Sequence, residues 1–118
     1  MMRLLSVFLL FFAGPAMAGD VTSSPGAVLR GLDKVDGRLT DMDLRNGQSH
    51  DLGYLTVTLR ECRYPAGNPS GNAYANVLIS EKNNPEPVFS GWMIATAPAL
   101  NALDHPRYDV WVLRCKTE

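Results

Sequence analysis

The chain has 118 residues, 46% of them hydrophobic and 19% charged, with a formal net charge of −1. Its first 18 residues carry 14 hydrophobic residues and a single charge, Arg3; the other 100 carry 40 hydrophobic residues and 10 Lys and Arg against 12 Asp and Glu. That remainder is one domain of ordinary globular composition, and its slightly acidic balance without a basic cluster excludes a nucleic-acid surface.

Arg3 supplies a short basic start, residues 4–13 form an apolar run, Gly14 and Pro15 break it, and Ala16-Met17-Ala18 has the A-x-A form of a cleavage site. This is the order of a secretory signal peptide cleaved after Ala18. A run of ten residues falls far short of the roughly 20 that a spanning helix needs. No second stretch approaches that length, so the mature chain is expected to be exported without a membrane span. Neither a cysteine after the cleavage site nor a twin-Arg pair before the run is present, which favours general secretion without a lipid anchor. Cys62 and Cys115 are the only cysteines. In an exported domain two cysteines read as one structural disulfide. A zinc site would need more ligands than two distant Cys and two distant His, and a catalytic thiol would need its partner reduced.

Residues 19–26 are small and polar and read as a flexible lead-in to a single domain over 27–118. Asp36-Gly37 and Asn46-Gly47 are hairpin signals. Residues 38–44 alternate, with Asp41 and Asp43 on one face, which places this strand at an edge or leaves that face solvated. Residues 52–62 are the clearest strand, with Leu55, Val57 and Leu59 pointing one way. A Pro/Gly/Asn loop follows, then a strand over 73–81 with Ala73, Ala75, Val77 and Ile79 on one face. Residues 88–95 form a mostly apolar strand, and 98–104 are expected to form a short helix stopped before Pro106. The last strand, 108–116, places Trp111, Leu113 and Cys115 on one face, so that Trp111 packs over the disulfide. Six or seven short strands with one short helix before the last make an all-β fold, a small antiparallel barrel or sandwich.

No phosphate-binding glycine motif, HExxH pair or nucleophile elbow occurs. No cofactor or metal is implied. Five carboxylates, Asp33, Asp36, Asp41, Asp43 and Asp51, fall close together, but their spacing fits no calcium loop and basic residues interleave them. His50 and His105, each beside an acid, are the two candidates for acid–base chemistry; Asp104-His105-Pro106 reads better as the end of the short helix and a turn of the chain. An enzyme using His105 would draw on Asp104, Asp109 or Tyr108. Trp92, Tyr108 and Trp111 crowd into the C-terminal part with Phe89 and Met93. They form either an aromatic binding face for a protein, peptide or glycan or part of a small domain's core. Asn101 and His105, four residues apart, would share one face of the short helix. If exposed beside Trp92, they would complete a contact patch.

The stretches Phe89-Ser90-Gly91-Trp92-Met93-Ile94-Ala95, Pro98-Ala99-Leu100-Asn101-Ala102-Leu103-Asp104-His105-Pro106 and Tyr108-Asp109-Val110-Trp111-Val112-Leu113, with Cys115, resemble the C-terminal signature of the domain-of-unknown-function family 2155. The upstream stretches Ala27-Val28-Leu29-Arg30-Gly31-Leu32-Asp33-Lys34 and Leu55-Thr56-Val57, leading to Cys62, match as well. The family consists of small exported alphaproteobacterial proteins and carries no assigned activity. The resemblance implies the periplasm, and its gene neighbourhood points toward respiratory complex I. The reading with most support is a non-enzymatic periplasmic interaction or accessory domain that docks on a protein partner at the inner membrane. A small-ligand or glycan-binding domain using Trp92, Tyr108 and Trp111 is the alternative.

Overall fold

Alternating apolar and polar residues build two antiparallel sheets whose apolar faces meet. The computed structural model describes residues 20–118; the expected signal peptide lies outside the described residues. The strands are β1 (Val21–Ser24), β2 (Gly26–Asp33), β3 (Leu39–Arg45), β4 (Ser49–Leu52), β5 (Leu55–Pro65), β6 (Tyr74–Glu81), β7 (Pro87–Ile94) and β8 (Tyr108–Cys115). One sheet runs β1-β5-β6-β7, with β4 also paired to β5; the other runs β3-β2-β8. The long β5 takes two partners along one edge, β4 at its start and β1 at its end. The result is an open sandwich rather than a closed barrel.

The inner faces follow the expected alternation on β3, β5 and β6. Met42 and Leu44, Leu55, Val57 and Leu59, and Ala75, Val77 and Ile79 are all buried. Burial of about 20 such side chains, each contributing roughly 1–3 kcal/mol, is the main favourable term. The acidic strand β3 is indeed an edge, with Asp41 and Asp43 exposed.

The ladders shift register at three places, one of them between β6 and β7 after Ile79, and the other two reset the alternation just before the cysteines. The β5–β6 register shifts between Leu59 and Glu61, and the β2–β8 register shifts so that Val112 faces Leu29 while Arg114 faces Val28. An extra residue reverses the face that follows. Cys62 therefore turns inward three residues after Leu59, and Cys115 three residues after Val112. They form a disulfide between the sheets with Cα atoms 5.7 Å apart. Trp111 does not pack over it: the bulge separates their parities, so Trp111 lies on the outer face opposite Arg30.

Other expectations are corrected as well. Residues 21–24 are strand β1 rather than a flexible lead-in, held by pairing with the end of β5. Asn46-Gly47 does not close a hairpin. Its turn carries the chain from β3 in one sheet to β4 in the other, and docks on β5 through Gly47 N to the Leu59 carbonyl (2.7 Å). The actual hairpin turn is Gly53-Tyr54, between β4 and β5, where Gly53 has φ +59°. No helix forms over 98–104. One turn closes from Leu100 N to the Ala97 carbonyl (3.0 Å), and an extended segment then buries both Leu103 and His105. Residues two apart lie on the same side of extended chain but not of a helix, so burying this pair excludes the helix.

Candidate functional site

The five expected binding residues separate into three environments. His105 and Tyr108 are buried, 6% and 2% exposed. The segment between β7 and β8 brings His105 down between the sheet ends. There its Nε2 lies 3.0 Å from Glu81 Oε2, while its Nδ1 accepts hydrogen bonds from Arg107 N (3.0 Å) and Tyr108 N (3.2 Å). Two backbone donors on Nδ1 place the ring proton on Nε2, facing Glu81. Both ring nitrogens are thereby engaged. Tyr54, His105 and Tyr108 form an aromatic cluster with centroids 5.3 to 5.8 Å apart. Around it, Lys34 Nζ donates to the His105 carbonyl (2.8 Å), and Arg107 grips Asp33 in a two-pronged ion pair (2.8 Å). Hydrogen bonds from Arg107 hold the Asp33 carboxyl below its usual 3.8, assisted by the Val35 amide and the Arg107 charge.

Trp92 is half-buried on the outer face of the larger sheet. It lines a shallow apolar depression of about 270 Å³ with Val21, Arg63, Tyr74 and Ile94. The Arg63 guanidinium stacks over its ring at 4.9 Å and is itself held by Glu61 (3.0 Å). The β5 bulge makes this possible, because it sends Glu61 and Arg63 outward as it turns Cys62 in. Asn101 is exposed and donates from Nδ2 to the Trp92 carbonyl (2.9 Å), which occupies an outward-facing acceptor on edge strand β7. Asn101 and His105 therefore share no face: one holds the rim of β7, the other sits in the interior.

Trp111 is half-buried on the outer face of the other sheet. With Pro98, Ala99, Ala102 and Leu103 it lines a separate depression of about 310 Å³. Trp92, Tyr108 and Trp111 thus share no groove. The clustered aspartates also go separate ways: Arg107 engages Asp33, Arg30 engages Asp41, Lys82 engages Asp51 and Lys116 engages Asp43. Among the described residues, no group of three or more His, Cys, Asp and Glu side chains could hold a metal ion. Among them there is no helix long and apolar enough to cross a membrane.

Sequence reasoning did not single out Arg63, Tyr74, Glu81 or Arg107. The strand register brings Arg63 and Tyr74 to Trp92, and the segment before β8 brings His105 to Glu81 and Arg107 to Asp33; neither is written in any short motif.

Residues 27–115 match the family described as "Uncharacterized protein conserved in bacteria (DUF2155)". The chain belongs to this family. The match runs from the second residue of β2 to the disulfide cysteine of β8, so β1 is the one described strand wholly outside the family's extent. A relative, the uncharacterized protein RP359 of Rickettsia prowazekii (strain Madrid E), is 23% identical over 87 residues, covering 71% of this chain and 56% of the relative. The chain thus spans little more than half that relative's length. No solved structure matches.

Proposed function

We propose that this protein is an exported, non-enzymatic accessory domain that docks a protein partner on the outer face of its larger sheet, with Trp92 as the anchor. The observation that carries this reading is the composition of that face. The solvent side of an antiparallel sheet is normally polar, yet Trp92, Tyr74, Ile94 and an exposed Val21 line one apolar depression here. Trp, Tyr and Arg are the residues most often found to dominate binding energy at protein interfaces. Arg63 supports the indole in place, so less ordering entropy is lost on binding. The signal-peptide pattern and the interior disulfide support an oxidising compartment, the periplasm. The family resemblance directs the search for a partner to the inner membrane, with respiratory complex I as the first assembly to examine. His105 supports no hydrolytic reading, because both of its ring nitrogens are already engaged within the fold.

The test is photo-crosslinking in living cells from a benzoylphenylalanine placed at position 92, with the same probe at Ser49 as a control. A discrete adduct to a membrane-complex subunit from position 92 alone is expected. Equal adducts from both positions, or none from either, would refute the proposal. Failure to co-purify with detergent-solubilised complex I would remove that partner.

A further inference from the structure

A second concavity lies where the ends of β2, β4 and β8 meet, and it shares no residue with the Trp92 face. It is a polar cleft of about 350 Å³, within the roughly 300–1,000 Å³ of small-molecule sites. Asp36, Arg38, Thr40, Asp51, Gly53 and Tyr108 line it, together with the Asp33–Arg107 pair.

Tyr108 makes this cleft more than a surface irregularity. The residue is 2% exposed, and among the described residues its phenolic oxygen has no hydrogen-bond partner; only its backbone amide is engaged, by His105. A buried tyrosine hydroxyl ordinarily finds a partner, and leaving one unpaired is costly. This oxygen lies against Gly53, itself part of the cleft wall: a Cβ built at Gly53 would sit 1.9 Å from it. The bare glycine makes room for the hydroxyl at the wall of the cleft, which both residues line. In the same cleft wall, the exposed Arg38 guanidinium has no ion-pair partner among the described residues, although its backbone amide is held by Asp36 (2.8 Å).

The chemistry of the wall selects the occupant. Three carboxylates against two guanidiniums disfavour a phosphate or carboxylate anion. No set of three ligating side chains converges for a bare cation. Hydroxyl groups both donate and accept, so a neutral polyol can donate to Asp36 and Asp51 while accepting from Arg38 and Tyr108. We infer that this cleft binds a small, neutral, polyhydroxylated ligand of the saccharide class, with the Tyr108 hydroxyl as its innermost contact.

The test uses the exported protein labelled with ¹⁵N and titrated with glucose, N-acetylglucosamine and myo-inositol. At least one is expected to give saturable amide shifts centred on Thr40, Gly53 and Tyr108. Tyr108→Phe, which keeps the ring and deletes only the hydroxyl, is expected to weaken that binding about three- to tenfold without lowering Tm. A lowered Tm in this variant would show that the hydroxyl is held within the fold, and would overturn the inference. So would unchanged binding by Tyr108→Phe, or the absence of saturable shifts with all three probes up to about 50 mM, well above millimolar affinity.

Discussion

Gly53→Ala is expected to destabilise the protein far more than Gly37→Ala, although both glycines close turns at positive φ. Gly37 has φ +77° and nothing within 4 Å of an added Cβ. Alanine there meets only the left-handed backbone penalty of about 1–2 kcal/mol, partly offset by a stiffer unfolded chain, for a net cost of about 1 kcal/mol. Gly53 has φ +59°, and its added Cβ would lie 1.9 Å from Tyr108 Oη and 2.6 Å from the ring carbon Cζ. Tyr108 has nowhere easy to go. It is packed edge-on to Tyr54 at 5.3 Å and against His105 at 5.4 Å. Forcing the ring or the hairpin aside adds an overpacking cost of about 1–3 kcal/mol, for a total of about 2–4 kcal/mol. For a domain near this size each kcal/mol is worth about 4–8 °C in Tm. Differential scanning calorimetry should therefore show a loss of about 5 °C for Gly37→Ala and about 10–25 °C for Gly53→Ala. In a Tyr108→Phe background only part of the excess should return, because the Cζ contact survives. Equal losses for the two glycine variants would refute the packing argument.

Replacing both cysteines by alanine removes a cross-link of sequence separation 53 and is expected to cost about 4 kcal/mol on the chain-entropy account; a urea midpoint indifferent to the replacement would contradict this. His105→Ala should cost about 2–4 kcal/mol in urea melts, because it leaves the Arg107 and Tyr108 amides without their acceptor and opens a buried void. Glu81→Gln keeps an acceptor at the rim and should cost under about 1 kcal/mol. Asp33 and Asp41 are held below the usual 3.8, chiefly by hydrogen bonds from Arg107 and Arg30 respectively. A carboxyl depressed in the folded state stabilises fully above its unfolded value, and that contribution fades as pH falls through the folded value. The stability advantage of the wild type over Asp33→Asn/Asp41→Asn should therefore be full at pH 6 and shrink below about pH 4; a pH-independent gap would rule the linkage out.

The parts of the fold legible in the sequence are those where alternation runs unbroken. Leu55, Val57 and Leu59, and Ala75, Val77 and Ile79, declare a buried face because each strand keeps one register along those residues. Strand β4 is illegible for the opposite reason: Ser49, His50 and Asp51 are all exposed, so no apolar period marks it. The apolar run Leu52-Gly53-Tyr54-Leu55 then hides the turn inside an apparent strand. Residues 98–104 carry helix-forming Ala and Leu, but the need to bury Leu103 and His105 together overrides local propensity. Of the candidate site, Trp92 was visible as a residue type. Its neighbours Arg63, Tyr74 and Val21 come from three other strands and meet it only through the register of the sheet.

The bulges in β5 and β8 connect the disulfide to the proposed binding face. Without the β5 bulge, the inward series Leu55, Val57, Leu59 would continue to Glu61 and Arg63, burying two charged side chains and turning Cys62 to solvent. Without the β8 bulge, Tyr108, Val110 and Val112 would lead to Arg114, and Cys115 would point away from its partner. A single extra residue in each strand thus avoids buried unpaired charge, which is strongly unfavourable, and brings the two sulfurs together. The same shift in β5 sends Arg63 outward beneath Trp92, where its guanidinium supports the indole at 4.9 Å. The irregularity that lets the sandwich be cross-linked therefore also builds the aromatic–cationic surface on its outside. A substitution that straightened β5 would disturb the core and the proposed docking face together. The two consequences share one strand and one extra residue, which is why neither could be read from the position of Cys62 or Trp92 taken alone.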